Sequence, residues 1–217
     1  MIRTGREGRC LGGAIFDVEG VIAHPDLAVL SAGLFALDPH LDPERLRSIR
    51  HGRELYPLWE AFSLGRVSAD DYWAAVLRAA GLEGGSAEVA AMRDLQSRAT
   101  WACLDEDVIA IADALRQSGM GVAILSNSAV DYDAQIDRFV GHFDPAHFSH
   151  RTGRRKPDAR AYLDLAAAMR LDPTAIVFID DKPRNIDAAQ ALGMQTCLFA
   201  SADQLRHVLA DLGAPPR

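Results

Sequence analysis

Four short, largely apolar runs, each leading into polar residues, constrain the fold of this 217-residue chain more than any other feature. They cover residues 11–17, 119–126, 174–181 and 194–199. A strand with one face in water alternates apolar and polar side chains. A strand that does not alternate is covered on both faces, and such strands build parallel sheets. Helical patterns separate the runs. Val108, Ile111, Ala112 and Leu115 recur at helical spacing over 105–118, and Gly119 supplies a stop. Residues 157–169 and 183–192 predict two more helices, each opened by a proline, with Gly193 closing the second. Leu205, Val208 and Leu209 predict a last amphipathic helix over 201–212, with Ser201 as its N-cap. This alternation predicts an α/β fold with a doubly wound parallel sheet.

Residues 24–100 depart from the alternation. They hold no strand pattern but five helical stretches, at 27–37, 43–53, 55–64, 69–80 and 87–98. Asp42 and Ser68 are N-cap candidates, while Gly81 and the Gly84-Gly85 pair are candidate stops. The expected organisation is an α/β core of residues 1–23 and 101–217 with an all-helical cap of 24–100 inserted after the first strand. Such an insert is placed to cover the C-terminal edge of the sheet.

The bulk properties narrow the function. A formal net charge of −7 argues against a nucleic-acid partner, since binding a phosphate backbone needs a basic face. No apolar run approaches the ~20 residues that span a bilayer, so no membrane partner is expected. Cys10, Cys103 and Cys197 are scattered and odd in number, which suits reduced thiols in a cytoplasmic protein. Arg3, Arg6 and Arg9 precede no apolar segment of signal-peptide type and read as a flexible leader.

Four polar features follow in order: Asp17-Val18-Glu19-Gly20, Ser126-Asn127, Lys156-Pro157 and Asp180-Asp181. Each lies just after an expected strand or in a loop. Ligands of open parallel sheets bind outside the carboxyl ends of the strands, so these groups are expected to converge there. Acids, a hydroxyl and a lysine at one edge suit phosphoryl transfer. One carboxylate attacks phosphorus, others hold a divalent cation, and the lysine and hydroxyl bind phosphoryl oxygens. A phospho-accepting receiver domain uses similar groups, but there the acidic pair precedes the phosphorylated aspartate and the domain is about half as long. The order here is the reverse.

These motifs, with a helical insert between the first two, resemble the haloacid dehalogenase-like hydrolase superfamily over about residues 13–212. The resemblance implies Asp17 as the nucleophile and a phospho-aspartyl intermediate. It implies Glu19 as general acid/base, with its backbone carbonyl on the metal. Ser126 and the backbone of Asn127 would grip the phosphoryl group, and Lys156 would neutralise charge between nucleophile and phosphate. Asp181 is implied as a direct magnesium ligand, Asp180 as an outer-shell or second ligand, and Asn185 as the residue that orients the acidic pair. Oxygen-only ligation by Asp17, Asp180 and Asp181 suits Mg2+, a hard cation.

Glu19 departs from the aspartate usual at its position in family phosphatases, and the extra methylene changes the reach of the carboxyl group. The acidic pair favours a phosphatase over a dehalogenase, because dehalogenases of the superfamily need no metal and usually lack it. The resemblance also admits a sugar phosphomutase, which no feature of the sequence selects, and a non-catalytic binding protein, which Glu19 alone supports. Capped members generally act on small phosphorylated metabolites, since a closed cap excludes macromolecules and bulk water. The oligomeric state, monomer or homodimer, stays open.

Other side chains have plainer readings. Tyr56 and Trp59 are expected in the cap's core or at its closing edge. Arg154 and Arg155 read either as a solvated basic loop or as part of the site. His142, His147 and His150 lack the cysteine or second shell expected of a zinc site.

Overall fold

The computed structural model describes residues 11–214. The leader arginines and Cys10 lie outside the described residues. In chain order the strands are β1 (Gly13–Phe16), β2 (Ala23–His24), β3 (Cys103–Leu104), β4 (Gly121–Ser126), β5 (Ala146–Phe148), β6 (Ile176–Asp180) and β7 (Gln195–Leu198). The helices of the insert are α1 (Leu27–Leu37), α2 (Pro43–His51), α3 (Tyr56–Ser63), α4 (Ala69–Ala80) and α5 (Ser86–Ala99). Those that follow are α6 (Glu106–Gln117), α7 (Asp133–Ile136), α8 (Ser149–Thr152), α9 (Ala159–Ala168), α10 (Pro183–Ala191) and α11 (Ala202–Asp211).

Five strands form one parallel sheet in the order β5-β4-β1-β6-β7, with β1 at its centre. Three of the four apolar runs become strands covered on both faces, whereas the fourth becomes β7 at the sheet's edge, where only Cys197 is buried. Ala14 and Phe16 of β1, Val122 and Ile124 of β4, and Val177 and Ile179 of β6 enter one hydrophobic cluster. Their chain neighbours Ile15, Ala123, Leu125 and Phe178 enter another, against Tyr162 and Leu165 of α9 and Ile186 of α10. The period of two thus supplies both faces with apolar groups. The fold is the expected doubly wound α/β sheet.

The chain leaves the sheet through β2 and returns through β3, which pair antiparallel as Ala23 with Leu104 and His24 with Cys103. All five insert helices lie between them. Their aromatic centre, Trp59, Phe62, Tyr72 and Trp73, belongs to the same cluster as Phe16 and Ile124. Phe62 and Tyr72 stack with centroids 4.3 Å apart, and Trp73 Nε1 donates to Asp131 at 2.6 Å. Among the described residues no helix is long and apolar enough to cross a membrane.

Several local expectations change. Residue 157 does not open a helix: Asp158 caps α9 by accepting from the Arg160 amide, and Pro157 stays in the preceding turn. Gly85 is the N-cap of α5 rather than a stop, because Glu88 reaches back to the Gly84 and Gly85 amides. Asp42, Ser68 and Ser201 cap as expected. Strand β5 has no sequence signal, being three residues long and containing His147 at the sheet's edge. The three histidines do not converge on one site. His142 meets Asp113, and His150 bridges Ser128 and Asp133.

Phe178 is fully buried, with its ring edge-on to Tyr162. Phe178→Ala should lower unfolding stability by ~3–5 kcal/mol in urea titrations. Leu27→Ala, at a side chain 59% exposed, should stay within ~0.5 kcal/mol.

Candidate active site

The sheet topology brings three strand ends together. Phe16 is in register with Ile124 on one side and Ile179 on the other. The next residue of β1 and of β6 is therefore polar at the same edge, Asp17 beyond β1 and Asp180 at the end of β6, while β4 reaches Ser126 one position later, after Leu125. The Asp17 amide continues the ladder to Ile179 O at 2.9 Å. Asp17, Ser126 and Asp180 are all buried.

Lys156 arrives from the loop between α8 and α9, and its buried ammonium binds two carboxylates at once. Nζ stands 2.8 Å from Asp17 Oδ1 and 2.7 Å from Asp180 Oδ2. The loop is fixed by Asn127, whose side chain donates to Lys156 O at 2.9 Å and accepts from Lys156 N at 2.8 Å. The motif pattern gave Asn127 only a backbone role and did not reveal this two-bond amide clamp. Its sequence signal is weak, since a carboxamide after a strand reads first as a turn residue.

Asp180 is held on every side. Oδ1 accepts from the Lys182 amide, Oδ2 from Lys156, and Asn185 Nδ2 reaches both oxygens at 3.0 and 2.9 Å. Asn185 thus orients Asp180 and not the whole acidic pair. The backbone of Asn185 is anchored in turn by the Tyr162 hydroxyl, which donates to its carbonyl at 3.1 Å. Asp180 serves its own helix start only through the Lys182 amide, and the N-cap of α10 is Lys182. Asp181 is more open, with its side chain 34% exposed. Gly20, at φ +87°, passes so close that a Cβ there would stand 2.7 Å from Asp181 Oδ2.

Lys182 is a site residue that the motif pattern did not reveal. Its ammonium lies 3.5 Å from Asp181 Oδ1 and 4.0 Å from Asp17 Oδ2. Burial works against its charge, but Asp17, Glu19 and Asp181 outweigh that and raise its pKa. The available signal was its place directly after the acidic pair. Asp17 Oδ1 is taken up by Lys156 and by the Val18 amide at 2.6 Å, which leaves Oδ2 as the less committed oxygen.

The donor set fits a magnesium ion. Asp17, Asp180 and Asp181 each offer a carboxylate oxygen, and these lie within 4.8 Å of one another. Such hard oxygen donors are what magnesium takes. Burial pushes Asp17 up to about 7, with Asp180 adding to the rise and Lys156 and Lys182 opposing it. Burial would raise Asp180 too, but Lys156, the Lys182 amide and Asn185 outweigh it and hold Asp180 below its usual value. Asp180 therefore keeps its charge while Asp17 carries the excess that a cation would relieve.

Ser126 Oγ is buried and has no hydrogen-bond partner among the described residues. Glu19 is exposed, and its carboxylate acts on Lys182, Tyr132 and His51. Arg155 is buried rather than solvated and pairs with Glu60 of α3. Arg184 donates to the Tyr56 hydroxyl at 3.3 Å. Ser149 Oγ donates to Ser63 O at 2.6 Å, a third tie between the insert and the sheet's loops. Trp59 is buried in the insert's aromatic centre.

The model of the haloacid dehalogenase-like hydrolase family matches residues 12–193. The chain belongs to the haloacid dehalogenase-like hydrolases. It is 41% identical over 61 residues to flavin mononucleotide hydrolase 1 of Arabidopsis thaliana, covering 28% of this chain and 25% of that protein. It is 30% identical over 141 residues to the sesquiterpene phosphatase astK of Aspergillus oryzae, covering 63% of this chain and 69% of that one. The chain thus spans only a quarter of the first relative's length. Among solved structures, a HAD family enzyme of Bacteroides thetaiotaomicron, an Asp12Ala mutant in complex with magnesium and inorganic phosphate, superposes with a TM-score of 0.69. That match is 15% identical and covers 88% of this chain and 94% of the other. The L-2-haloacid dehalogenase of Xanthobacter autotrophicus reaches 0.66 at 18% identity, covering 95% and 85%. Identities this low speak for the fold alone.

In this family member the raised Asp17 is a stability liability with a defined sign. The folded state holds the Asp17 proton up to about pH 7, whereas an unfolded aspartate releases it near 3.8. Folding therefore becomes less favourable as pH rises through that window, and the cost is full above it. Asp17→Asn should be more stable than the native protein in a chelator at about pH 8, by ~1–3 kcal/mol, with the gap closing toward about pH 4. Thermal unfolding at the two pH values measures it.

Proposed function

We propose that the protein is a magnesium-dependent phosphatase that hydrolyses a small phosphorylated metabolite through a phospho-aspartyl intermediate on Asp17. The observation that carries this reading is the trio Asp17, Asp180 and Asp181, the first two held by Lys156, at the strand ends where the Ser126 hydroxyl is unpartnered among the described residues. The phosphatase name of the Aspergillus oryzae relative and the magnesium and phosphate in the Bacteroides thetaiotaomicron structure support it. The acidic pair weighs against a dehalogenase, which has no use for a cluster of oxygen donors.

Asp17 attacks phosphorus in line with its less committed oxygen while Lys156 holds the other. Ser126 Oγ and the amide of Asn127 bind the phosphoryl oxygens. Asp17, Asp180, Asp181 and the backbone carbonyl of Glu19 are the residues that would hold magnesium. When bound, the ion supplies positive charge that offsets the repulsion between carboxylate and phosphate. Glu19 protonates the leaving oxygen, then takes a proton from the water that cleaves the acyl phosphate. Arg155–Glu60, Arg184–Tyr56 and Ser149–Ser63 seat the helical insert over the site as a cap, which shields the acyl phosphate from bulk water and restricts access to small substrates.

Hydrolysis of p-nitrophenyl phosphate, with magnesium and with a chelator, tests this. Turnover should require the ion and vanish in Asp17→Asn. Glu19→Gln should lose ~10²–10⁴-fold in kcat, as expected of a general acid/base. Native protein that releases no phosphate from this ester or from a panel of phosphorylated metabolites would leave a non-catalytic binding protein in its place. Lys156→Met should lose activity and also ~3–5 kcal/mol of stability, because two buried carboxylates lose their cation.

A further inference from the structure

Arg50, at the C-terminal end of α2, carries a charge that no part of the mechanism uses. Its guanidinium carbon lies 4.7 Å from the ring centroid of Trp59, 5.0 Å from that of Trp73 and 5.9 Å from that of Tyr72. Nε donates to the Tyr72 hydroxyl at 2.9 Å and Nη2 to the Tyr132 hydroxyl at 3.2 Å. Among the described residues no carboxylate makes an ion pair with it within 4.0 Å. Arg93 pairs with Asp70 and Asp131, and Arg98 with Asp94, whereas Arg45 also has only neutral partners, the carbonyls of His40 and Ala80.

The phenols do not supply the missing charge. Burial pushes Tyr132 up to about 12 and raises Tyr72 as well, against the pull of Arg50, so both stay protonated at neutral pH. Aromatic faces soften the cost of holding a guanidinium out of water, but they leave its planar donor fork without an anion. A purely structural link between Tyr72 and Tyr132 needs hydrogen bonds and no net charge. A half-buried guanidinium with neutral partners is instead suited to receive an oxyanion.

Its position says which oxyanion. Tyr132 lies in the turn that follows Ser126 and Asn127, and its hydroxyl is within the field of the Glu19 carboxylate. The same carboxylate acts on His51, the neighbour of Arg50 on α2. The end of α2 is therefore joined, through the Tyr132 hydroxyl, to the loop that follows Ser126 and Asn127 at the carboxyl edge of the sheet.

We propose that Arg50 binds a second oxyanion, a carboxylate or a second phosphate, on the leaving group, so that the substrates are phosphate monoesters of an alcohol that is itself anionic. The assignment of this substrate class rests on the phosphatase reading above. Its test compares n-alkyl phosphates of two to five carbons with ω-carboxyalkyl phosphates and α,ω-alkane bisphosphates of matching length, by phosphate release with magnesium. The native protein should favour an anionic ester over its alkyl counterpart by about 10–100-fold in kcat/KM at the length that spans the two groups. The series that shows the preference identifies the oxyanion. Arg50→Met keeps apolar contact with the rings and should bring the ratio to within a few-fold of one, while Arg50→Lys should retain part of it. A native ratio near one at every length, or a ratio that both variants leave intact, overturns the proposal. The same compounds are titrated calorimetrically into Asp17→Asn and Asp17→Asn/Arg50→Met. If the native protein hydrolyses no ester, the phosphatase reading fails; Arg50 is then judged by whether Arg50→Met removes the tighter binding of anionic members. Should Arg50→Met not fold by circular dichroism, the native ratio and Arg50→Lys decide.

Discussion

The ammonium of Lys156, buried between Asp17 and Asp180, is the interaction on which the rest of the site depends. Parallel pairing of β1 with β6 forces two carboxylates to adjacent strand ends, out of water and close together. Two such charges repel and are poorly solvated, so the arrangement needs a cation within contact distance. Lys156 supplies it from a distant loop, and Asn127 fixes that loop by bonding both ends of the same peptide segment. The lysine does not balance the whole cluster. With Asp181 and Glu19 added, and Lys182 on the other side, carboxylates outnumber the ammonium groups; the proton affinity of Asp17 is raised first by burial and then by Asp180, against the pull of both lysines.

The helical insert is joined to this centre by packing and by a few polar ties. Its aromatic centre belongs to the same hydrophobic cluster as one face of the sheet, so apolar contact runs from Phe16 to Trp73 without a break. Around the site the contacts are polar: Arg155 with Glu60, Arg184 with Tyr56, and Arg50 with Tyr132. Apolar contact holds the insert against the sheet, whereas ion pairs and hydrogen bonds near the opening exchange readily with water and ligands. The cluster at the strand ends and the basic groups beneath the insert are thereby brought to one space in a chain whose formal net charge is −7.

Much of this was legible in the residues. The apolar runs and the helical spacing between them led to the parallel sheet, and the five helical stretches of 24–100 became α1–α5 with ends shifted by at most two residues. Asp42, Ser68 and Ser201 were readable as caps because N-capping is local: side chain and receiving amide are two or three residues apart. The helix start at 157 was misread because two local signals competed, proline at a first turn and Asp158 as a cap, and the cap prevailed. Strand β5 was illegible because three edge residues carry too little pattern to register. Arg155 was open to two readings, a solvated loop or part of the site, until its partner, ninety-five positions away, was in place.

What the sequence determined by itself is what depends on near neighbours: the periodicity that selects strand or helix, the caps, and the order of the acidic, hydroxyl and lysine motifs along the chain. Tertiary structure alone decided which charges meet. It set Lys156 against both Asp17 and Asp180, turned Asn185 to one acid rather than the pair, brought Lys182 to the cluster, and left Arg50 among aromatic rings without a carboxylate. Electrostatic partners are chosen by distance in space and by exclusion of water, and neither is encoded in the spacing of residues along a chain.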